Sequence, residues 1–275
     1  DLLKDIPAES IHTVVTSPPY WAQRDYGTDA GIGLEDSVDD WIEAMVEVFR
    51  EVWRVLRPDG TVWLNLGDKY AGPGGDLKEK DLMGLPWRVA FALQADGWWL
   101  RSGIVWDKPN PTPEPVMDRP GSSHEFVFLL ARARRYYYDA TAVRVKSENR
   151  ASANLTRSVG GSGRINQNLG HAFPSYAEPT RQLRNVWRIT SATFPPALAE
   201  RPILAGTSEY GVCVDCGAPW KRCDDDWEPT CDHAGADVRP ATVLDPFSGA
   251  GTTGLVAQRL GRDYIGLELN PEYVQ

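Results

Sequence analysis

The segment Val243-Leu244-Asp245-Pro246-Phe247-Ser248-Gly249-Ala250-Gly251-Thr252-Thr253-Gly254 leaves this chain fewer ways to fold than any other stretch of its 275 residues. Thr242 to Leu244 reads as a buried strand, Pro246 and the glycines cannot continue it, and Thr252 to Leu260 resumes with helical spacing. Tyr264 to Leu267 then reads as a second strand. A strand, a glycine-rich turn, a helix and a strand in this order form one unit of an α/β sheet.

The turn also points to a ligand. Gly249, Gly251 and Gly254 satisfy G-x-G-x-x-G, and Glu268 stands 23 residues after Asp245, at the end of the next strand. Glycines let the backbone approach a nucleoside closely, and an acid at the second strand end accepts ribose hydroxyls. The pattern departs from a dinucleotide site. Asp-Pro-Phe-Ser separates strand and first glycine, and 21 residues follow Gly254, too few to complete a dinucleotide domain. An Asp at the strand end repels a pyrophosphate but accepts an ammonium. The reading therefore favours S-adenosylmethionine over a nicotinamide dinucleotide, with a plain structural turn as the alternative.

Upstream, His12 to Thr16 is a short apolar run stopped by Ser17-Pro18-Pro19, a buried strand ended by prolines. From Val38 to Leu56, Trp41, Met45, Val48, Val52, Val55 and Leu56 recur at helical steps, with Asp39 and Asp40 in the first turn and Pro58-Asp59-Gly60 as the stop. Thr61–Leu66 reads as a strand and Leu82–Ala95 as a helix. Trp98–Trp106 and Phe126–Leu130 read as an antiparallel strand pair, and Pro195–Leu204 as a short helix. Helix alternating with strand points to an α/β sheet. The chain opens at Asp1 with no element before it and closes in the first turn of a helix, so it reads as part of a longer protein.

Thr16-Ser17-Pro18-Pro19-Tyr20 follows the first strand directly. The bland reading of Pro-Pro here is a strand terminator. The chemical reading is a pocket for an exocyclic amine: Ser17 Oγ and the Pro18 carbonyl each accept one N–H, which turns the nitrogen lone pair toward a methyl donor, and Tyr20 stacks on the base. A base in duplex DNA reaches such a pocket only by flipping out of the stack.

Net charge is −9, which argues at first against nucleic acid. The charge is unevenly spread. From Ala131 to Thr190 eleven basic residues face three acidic ones, +8, leaving −17 on the remaining 215. Ten of the eleven are arginines (132, 134, 135, 144, 150, 157, 164, 181, 184 and 188), suited to phosphates and guanine edges. A solvated loop is the plain reading; a nucleic-acid contact region, with affinity that falls as salt rises, is the functional one. No run of about 18 apolar residues is present, so no membrane span is expected. Asp1 to Ser10 lack the pattern of a signal peptide.

Ser17-Pro18-Pro19-Tyr20 near the start and Asp245-Pro246-Phe247-Ser248-Gly249-Ala250-Gly251-Thr252-Thr253-Gly254 near the end, in that order, resemble a DNA amino-methyltransferase of the β group. Arg24-Asp25-Tyr26-Gly27, Leu64-Asn65-Leu66-Gly67-Asp68, Trp106-Asp107-Lys108-Pro109-Asn110-Pro111 and Gly266-Leu267-Glu268-Leu269-Asn270-Pro271 extend the likeness. The resemblance implies a Rossmann-like, S-adenosylmethionine-dependent methyltransferase fold: a mostly parallel seven-stranded sheet with helices on both faces and one antiparallel edge strand. Residues 1–130 would be its catalytic part, 131–190 a target-recognition region, 191–205 a cofactor-closing segment, 206–240 an insertion and 241–275 the cofactor-binding part.

The same resemblance assigns Ser17, Pro18, Pro19 and Tyr20 to catalysis. It assigns Asp1, Thr16, Phe194, Pro195, Asp245, Pro246, Phe247, Ser248, Gly249, Gly251, Thr252, Thr253, Glu268 and Asn270 to the cofactor. Serine in the first catalytic position is commoner in cytosine-N4 enzymes than in adenine-N6 ones, so cytosine N4 is the favoured target and adenine N6 the alternative. Double-stranded DNA is the implied substrate, with a homodimer and a cognate restriction endonuclease as candidate partners, in the cytoplasm of a bacterium or archaeon or encoded by a phage. The rival classes are an RNA or protein N-methyltransferase and a DNA-binding module with a vestigial loop.

All four cysteines, Cys213, Cys216, Cys223 and Cys231, lie within 19 residues. Cys213-x-x-Cys216-Gly217 is a zinc-knuckle turn and Cys231 a third ligand; His233 is preferred as the fourth, with Cys223 as the alternative. Related enzymes often carry a similar pair. Two disulfides are the other reading, disfavoured in a reducing cytosol. The zinc would be structural.

Overall fold

Every residue of β1 (Ile11–Thr16) is buried, the pattern of a parallel strand covered on both faces. This computed structural model describes residues 2–22, 31–74, 77–147, 180–191, 193–224, 226–233, 235 and 237–273. A 3-10 turn, Leu2–Asp5, precedes β1. Helix α1 (Val38–Val55) is capped by Ser37, whose hydroxyl accepts the Asp40 N–H at 3.1 Å, and carries Asp39 and Asp40 in its first turn. Its buried face is Trp41, Met45, Phe49, Val52 and Val55.

Strand β2 (Leu56–Leu66) starts where α1 ends. Pro58-Asp59-Gly60, expected to separate helix from strand, instead sits within the strand as a bulge: Ile11 pairs with Leu56 while Thr13 already pairs with Thr61. Helix α2 (Leu85–Ala95) begins three residues later than the pattern predicts, where Asp68 Oδ1 accepts the Leu85 N–H at 3.1 Å. Next come β3 (Trp99–Asp107) and β4 (His124–Ala131), then the antiparallel ribbon β5 (Val145–Lys146) with β6 (Thr180–Arg181). Beyond these lie β7 (Val186–Arg188) and α3 (Pro196–Gly206). Two small ribbons follow, β8 (Val212–Cys213) with β11 (Val238–Arg239), and β9 (Trp220–Cys223) with β10 (Asp226–Pro229). The described chain closes with β12 (Thr242–Asp245), α4 (Thr252–Arg259), β13 (Asp263–Gly266) and a 3-10 turn, Pro271–Tyr273.

Seven strands form one sheet in the order β13-β12-β1-β2-β4-β3-β7. Six run parallel and β4 runs against them. The expected antiparallel edge strand is thus corrected: β4 lies inside, between β2 and β3. Its composition explains the place. Val127 to Ala131 are all buried, as an interior strand requires, whereas β3 carries Arg101 and Ser102 and β7 buries only Trp187. Strand β7 is too short and too basic to show a period in the sequence, yet it closes that edge. Both ends of the basic stretch therefore belong to the body of the fold, while Arg150, Arg157 and Arg164 lie outside the described residues.

Helices α1 and α2 cover one face over Trp41, Phe49 and Trp98. Helices α3 and α4 cover the other, over Trp63, Trp106 and Trp187. From β1 the chain works outward through β2 to β7, then returns to β12 on the other side of β1 and continues to β13. The direction of winding reverses between β12 and β1, and the crevice beyond their C-terminal ends is where such sheets bind ligands.

Candidate active site at the sheet switch point

Two segments 229 residues apart meet at that crevice. Thr16, the last residue of β1, donates its hydroxyl to Asp245 Oδ1, at the end of β12, at 2.6 Å. Thr253 on α4 donates to the Val15 carbonyl at 3.2 Å. Asp245 Oδ1 also accepts the Phe247 N–H at 3.1 Å. Burial pushes the Asp245 carboxyl up to about 6, against these hydrogen bonds, which favour the ionised form.

Beyond Asp245 the loop opens. Gly249 and Gly251 hold φ of +50° and +74°, the left-handed region, and a Cβ on either would meet nothing within 4 Å. Glu268 stands beside them: its Oε2 accepts the Gly249 N–H at 2.7 Å and its Oε1 the Asn270 N–H at 2.8 Å. Each oxygen keeps acceptor capacity. Ser248 Oγ lies 2.8 Å from Tyr264 Oη, and Pro246 is buried. Thr252 opens α4, with Gly251 as its N-cap. Pro195 is buried as the N-cap of α3, and Phe194 is half-buried against the core cluster that holds Val256 and Ala257. Asp1 lies outside the described residues.

On the other wall, Pro18 is buried and Ser17, Pro19 and Tyr20 are half-buried. The turn is pinned from outside. Ala22 N–H donates to the Gly33 carbonyl at 2.7 Å, Trp21 Nε1 donates to the Glu35 carbonyl at 3.0 Å, and Lys69 Nζ donates to the Ala22 carbonyl at 3.2 Å. Tyr20 lies against the backbone of residue 67, where a Cβ would come within 2.8 Å of its ring, so Gly67 is needed for this approach. Its hydroxyl is 3.4 Å from Ser17 Oγ, donates to Glu125 Oε2 at 2.9 Å and lies 3.3 Å from Asn65 Oδ1. Asn65 Nδ2 donates to Glu125 Oε2 and to the Phe126 carbonyl, each at 3.1 Å. Glu125 Oε1 is paired with Lys108 Nζ, which sits 4.1 Å from the Trp106 ring centroid.

Asn65, Lys108 and Glu125 have no assigned role in the sequence reading. Asn65 and Lys108 fall in stretches noted for their likeness, and a lone polar residue in Leu64-Asn65-Leu66 is a signal. Glu125 carries none, because only the β2–β4 pairing brings it to Tyr20.

At the opposite end of the sheet, one ligand atom from each of Cys213, Cys216, Cys231 and His233 lies within 4.8 Å of the others. Cys213 Sγ and His233 Nδ1 are 3.8 Å apart, a little over the roughly 3.5 Å sulfur–nitrogen edge of a tetrahedron with zinc–sulfur bonds of about 2.3 Å and zinc–nitrogen bonds of about 2.0 Å. The Cys216 backbone N–H draws the Cys213 thiol down to about 7. All four cysteines are free, and Cys223 stands apart, its thiol engaged with Glu228. The knuckle docks on the strand starts. His12 Nε2 is 3.0 Å from the Gly217 carbonyl, His12 Nδ1 accepts the Thr242 N–H at 2.9 Å, and Arg57 Nη1 donates to the Cys216 carbonyl at 2.7 Å.

Comparison with known proteins gives a consistent answer. The family N6_N4_Mtase, described as DNA methylase, matches residues 11–275. The chain is 39% identical to the Type II methyltransferase M.Cfr9I of Citrobacter freundii, over 99% of this chain and 82% of that one. It is 36% identical to M.SmaI of Serratia marcescens, over 99% and 85%. Among solved structures it is similar to a cytosine-N4-specific PvuII DNA methyltransferase, with a TM-score of 0.65 at 21% identity over 99% of this chain and 80% of that one. It is also similar to a putative DNA modification methylase of Thermus thermophilus in complex with S-adenosyl-L-methionine, with a TM-score of 0.60 at 23% identity over 100% and 86%. At these identities the two structures establish the fold.

Proposed function

The chain belongs to the N6_N4_Mtase DNA methylase family, and on that premise we propose that it moves a methyl group from S-adenosylmethionine to cytosine N4 of a flipped base in double-stranded DNA. The observation that carries this reading is the Thr16–Asp245 hydrogen bond, which sets an amine-accepting turn and an open glycine loop side by side at the switch point. Gly249 and Gly251 leave room for a nucleoside, Asp245 suits an ammonium and Glu268 suits ribose hydroxyls, so the residues present fit the cofactor. When bound, it supplies an electrophilic methyl on a sulfonium. Ser17 Oγ and the Pro18 carbonyl accept the two amine N–H groups, and Tyr20 stacks on the base. Positioning of this kind supplies much of the acceleration. Phe194 and Pro195 would close the cofactor side, and the basic 131–190 segment would read the target.

Ser17 in the first catalytic position supports cytosine over adenine, as does the fold likeness to a cytosine-N4-specific enzyme. The Cys213, Cys216, Cys231 and His233 cluster suits a structural zinc, since four protein ligands leave no open position for a reactive water. A cognate endonuclease fits the Type II names of the relatives, and a second copy of the chain is a further candidate partner. No helix among the described residues is long and apolar enough to cross a membrane, and a cytoplasmic enzyme fits the bacterial relatives.

Incubation with plasmid DNA and S-adenosylmethionine, followed by nucleoside mass spectrometry, tests the proposal. N4-methylcytosine is the expected product. N6-methyladenine would move the target to the alternative base, and methyl groups found only in RNA or protein would overturn the reading.

A further inference from the structure

Binding and positioning leave one requirement of amine methylation unmet. Transfer of a methyl cation to a neutral amine leaves the nitrogen with one proton too many, and that proton must go somewhere. Lys108 and Glu125 have no part in the scheme above, yet they form an ion pair whose side chains are only 12% and 18% exposed. A pair this withdrawn from water is weak evidence for stability, because desolvation offsets most of its attraction.

The direction of the hydrogen bonds around Glu125 is fixed by counting protons. Tyr20 has one hydroxyl proton, and its closest acceptor is Glu125 Oε2 at 2.9 Å. Ser17 is therefore the donor in its contact with Tyr20 Oη at 3.4 Å, which leaves the Ser17 lone pairs for the amine. Both Asn65 N–H bonds are used, on Glu125 and on the Phe126 carbonyl. Asn65 thus holds the carboxylate in place but, as a neutral amide, takes no proton itself.

Resting on the methyl-transfer reading above, we propose that Glu125 receives the amine proton through Ser17 and Tyr20. The surplus N–H bond of the methylated amine breaks as a bond forms to Ser17 Oγ. The proton Ser17 already carried passes to Tyr20 Oη, and the tyrosine proton passes to Glu125 Oε2. The methylated amine ends neutral, Ser17 and Tyr20 are each restored with one proton, and Glu125 becomes a neutral acid that returns its proton to solvent between turnovers. Lys108, the residue after β3, and Tyr20, from the turn after β1, are the titratable groups bonded to Glu125 among the described residues. His124, its neighbour on β4, lies on the other side of the strand beside Phe126. Glu125 acts through Tyr20, so it is a positioning and proton-accepting residue rather than one that touches substrate.

The test is single-turnover methylation of duplex DNA against pH by the wild type, Glu125→Gln, Tyr20→Phe and the double variant. Glutamine keeps the shape and the acceptor oxygen but cannot take a proton. Glu125→Gln should slow transfer by about 10²-fold with S-adenosylmethionine and DNA affinities unchanged. The relay also predicts a wild-type rate that falls on the acid side, and that fall should be absent from the variant. Tyr20→Phe should be similarly slow, and the double variant no slower, because both changes cut one relay. A Glu125→Gln enzyme with the wild-type rate overturns the relay, and so does a slow one that keeps the acid limb or loses affinity, since that marks a structural role. The wild-type nucleoside product tests the parent reading separately: no amine methylation sinks that reading, whereas normal methylation with an indifferent Glu125 sinks only the relay.

Discussion

Strand β1 carries a different kind of site at each end. At its C-terminal end, Thr16 and Ser17 lead into a crevice with half-buried hydroxyls, open glycines and carboxylates that keep acceptor capacity. At its N-terminal end, His12 and the start of β2 hold a cysteine–histidine knuckle through bonds that are already satisfied. His12 and Thr16 are four residues apart, roughly 13 Å along a strand. One end keeps polar groups available for a ligand, and the other uses them up in fastening an insertion to the sheet. The same strand can thus serve chemistry and stability, provided the two demands fall on opposite ends.

Substitutions sort by end if this contrast holds. The largest effect belongs to the crevice: Tyr20→Ala should lower methylation by about 10³-fold or more, while calorimetry finds S-adenosylmethionine binding intact and Tm little changed. Unchanged turnover would remove the proposed pocket. Next comes the knuckle, where Cys216→Ser or a strong chelator should cost about 3 kcal/mol or more, roughly 6–12 °C in Tm for a chain this size. Metal analysis should find one zinc per chain; a Tm indifferent to chelation would mean the cluster holds none.

The two ends should also respond to acid in opposite senses. Burial, reinforced by Arg57, pushes His12 down to about 4, so the stability its neutral form provides is complete above about 6.5 and is lost as pH falls toward 4. Asp245, raised to about 6, behaves the other way: the folded state holds its proton more tightly, so stability falls as pH rises from about 3.8 to 6. Each contribution is on the order of 3 kcal/mol, and the two oppose each other between about pH 4 and 6. Asp245→Asn should uncover the His12 limb, a Tm that drops more steeply between pH 6.5 and 4, together with weaker cofactor binding. A profile unchanged from the wild type's would show that the two ends are not independent.

The smallest effect is expected for Arg57→Ala, which frees the Cys216 carbonyl at the knuckle's docking point. It should cost about 1–2 kcal/mol by chemical denaturation, with methylation unchanged.

Much of this arrangement is legible in the amino-acid sequence. The glycine loop, the Ser-Pro-Pro-Tyr turn and Cys213-x-x-Cys216 are short segments in which glycine, proline or paired thiols constrain the local backbone. Each points to the element that carries it, and the helices of both faces show in their apolar spacing. Strand β7 does not, because three residues, one of them an arginine, have no period to read. The interior place of β4 is equally hidden, since strand order depends on which neighbour best covers an apolar strand. The choice between His233 and Cys223 turns on the path of the insertion, which pairs β9 with β10 and carries Cys223 away from the other thiols.

By itself, then, the sequence determined the local conformations and the chemical character of each motif, because these depend on neighbouring residues and on backbone limits that travel with them. Only the tertiary structure decided which motifs meet. Thr16 touches Asp245 because β1 and β12 lie side by side, and Tyr20, Asn65, Lys108 and Glu125 converge because β2, β4 and β3 are neighbours in the sheet. That adjacency is set by the packing of whole strands and helices around a shared core, and no local spacing encodes it.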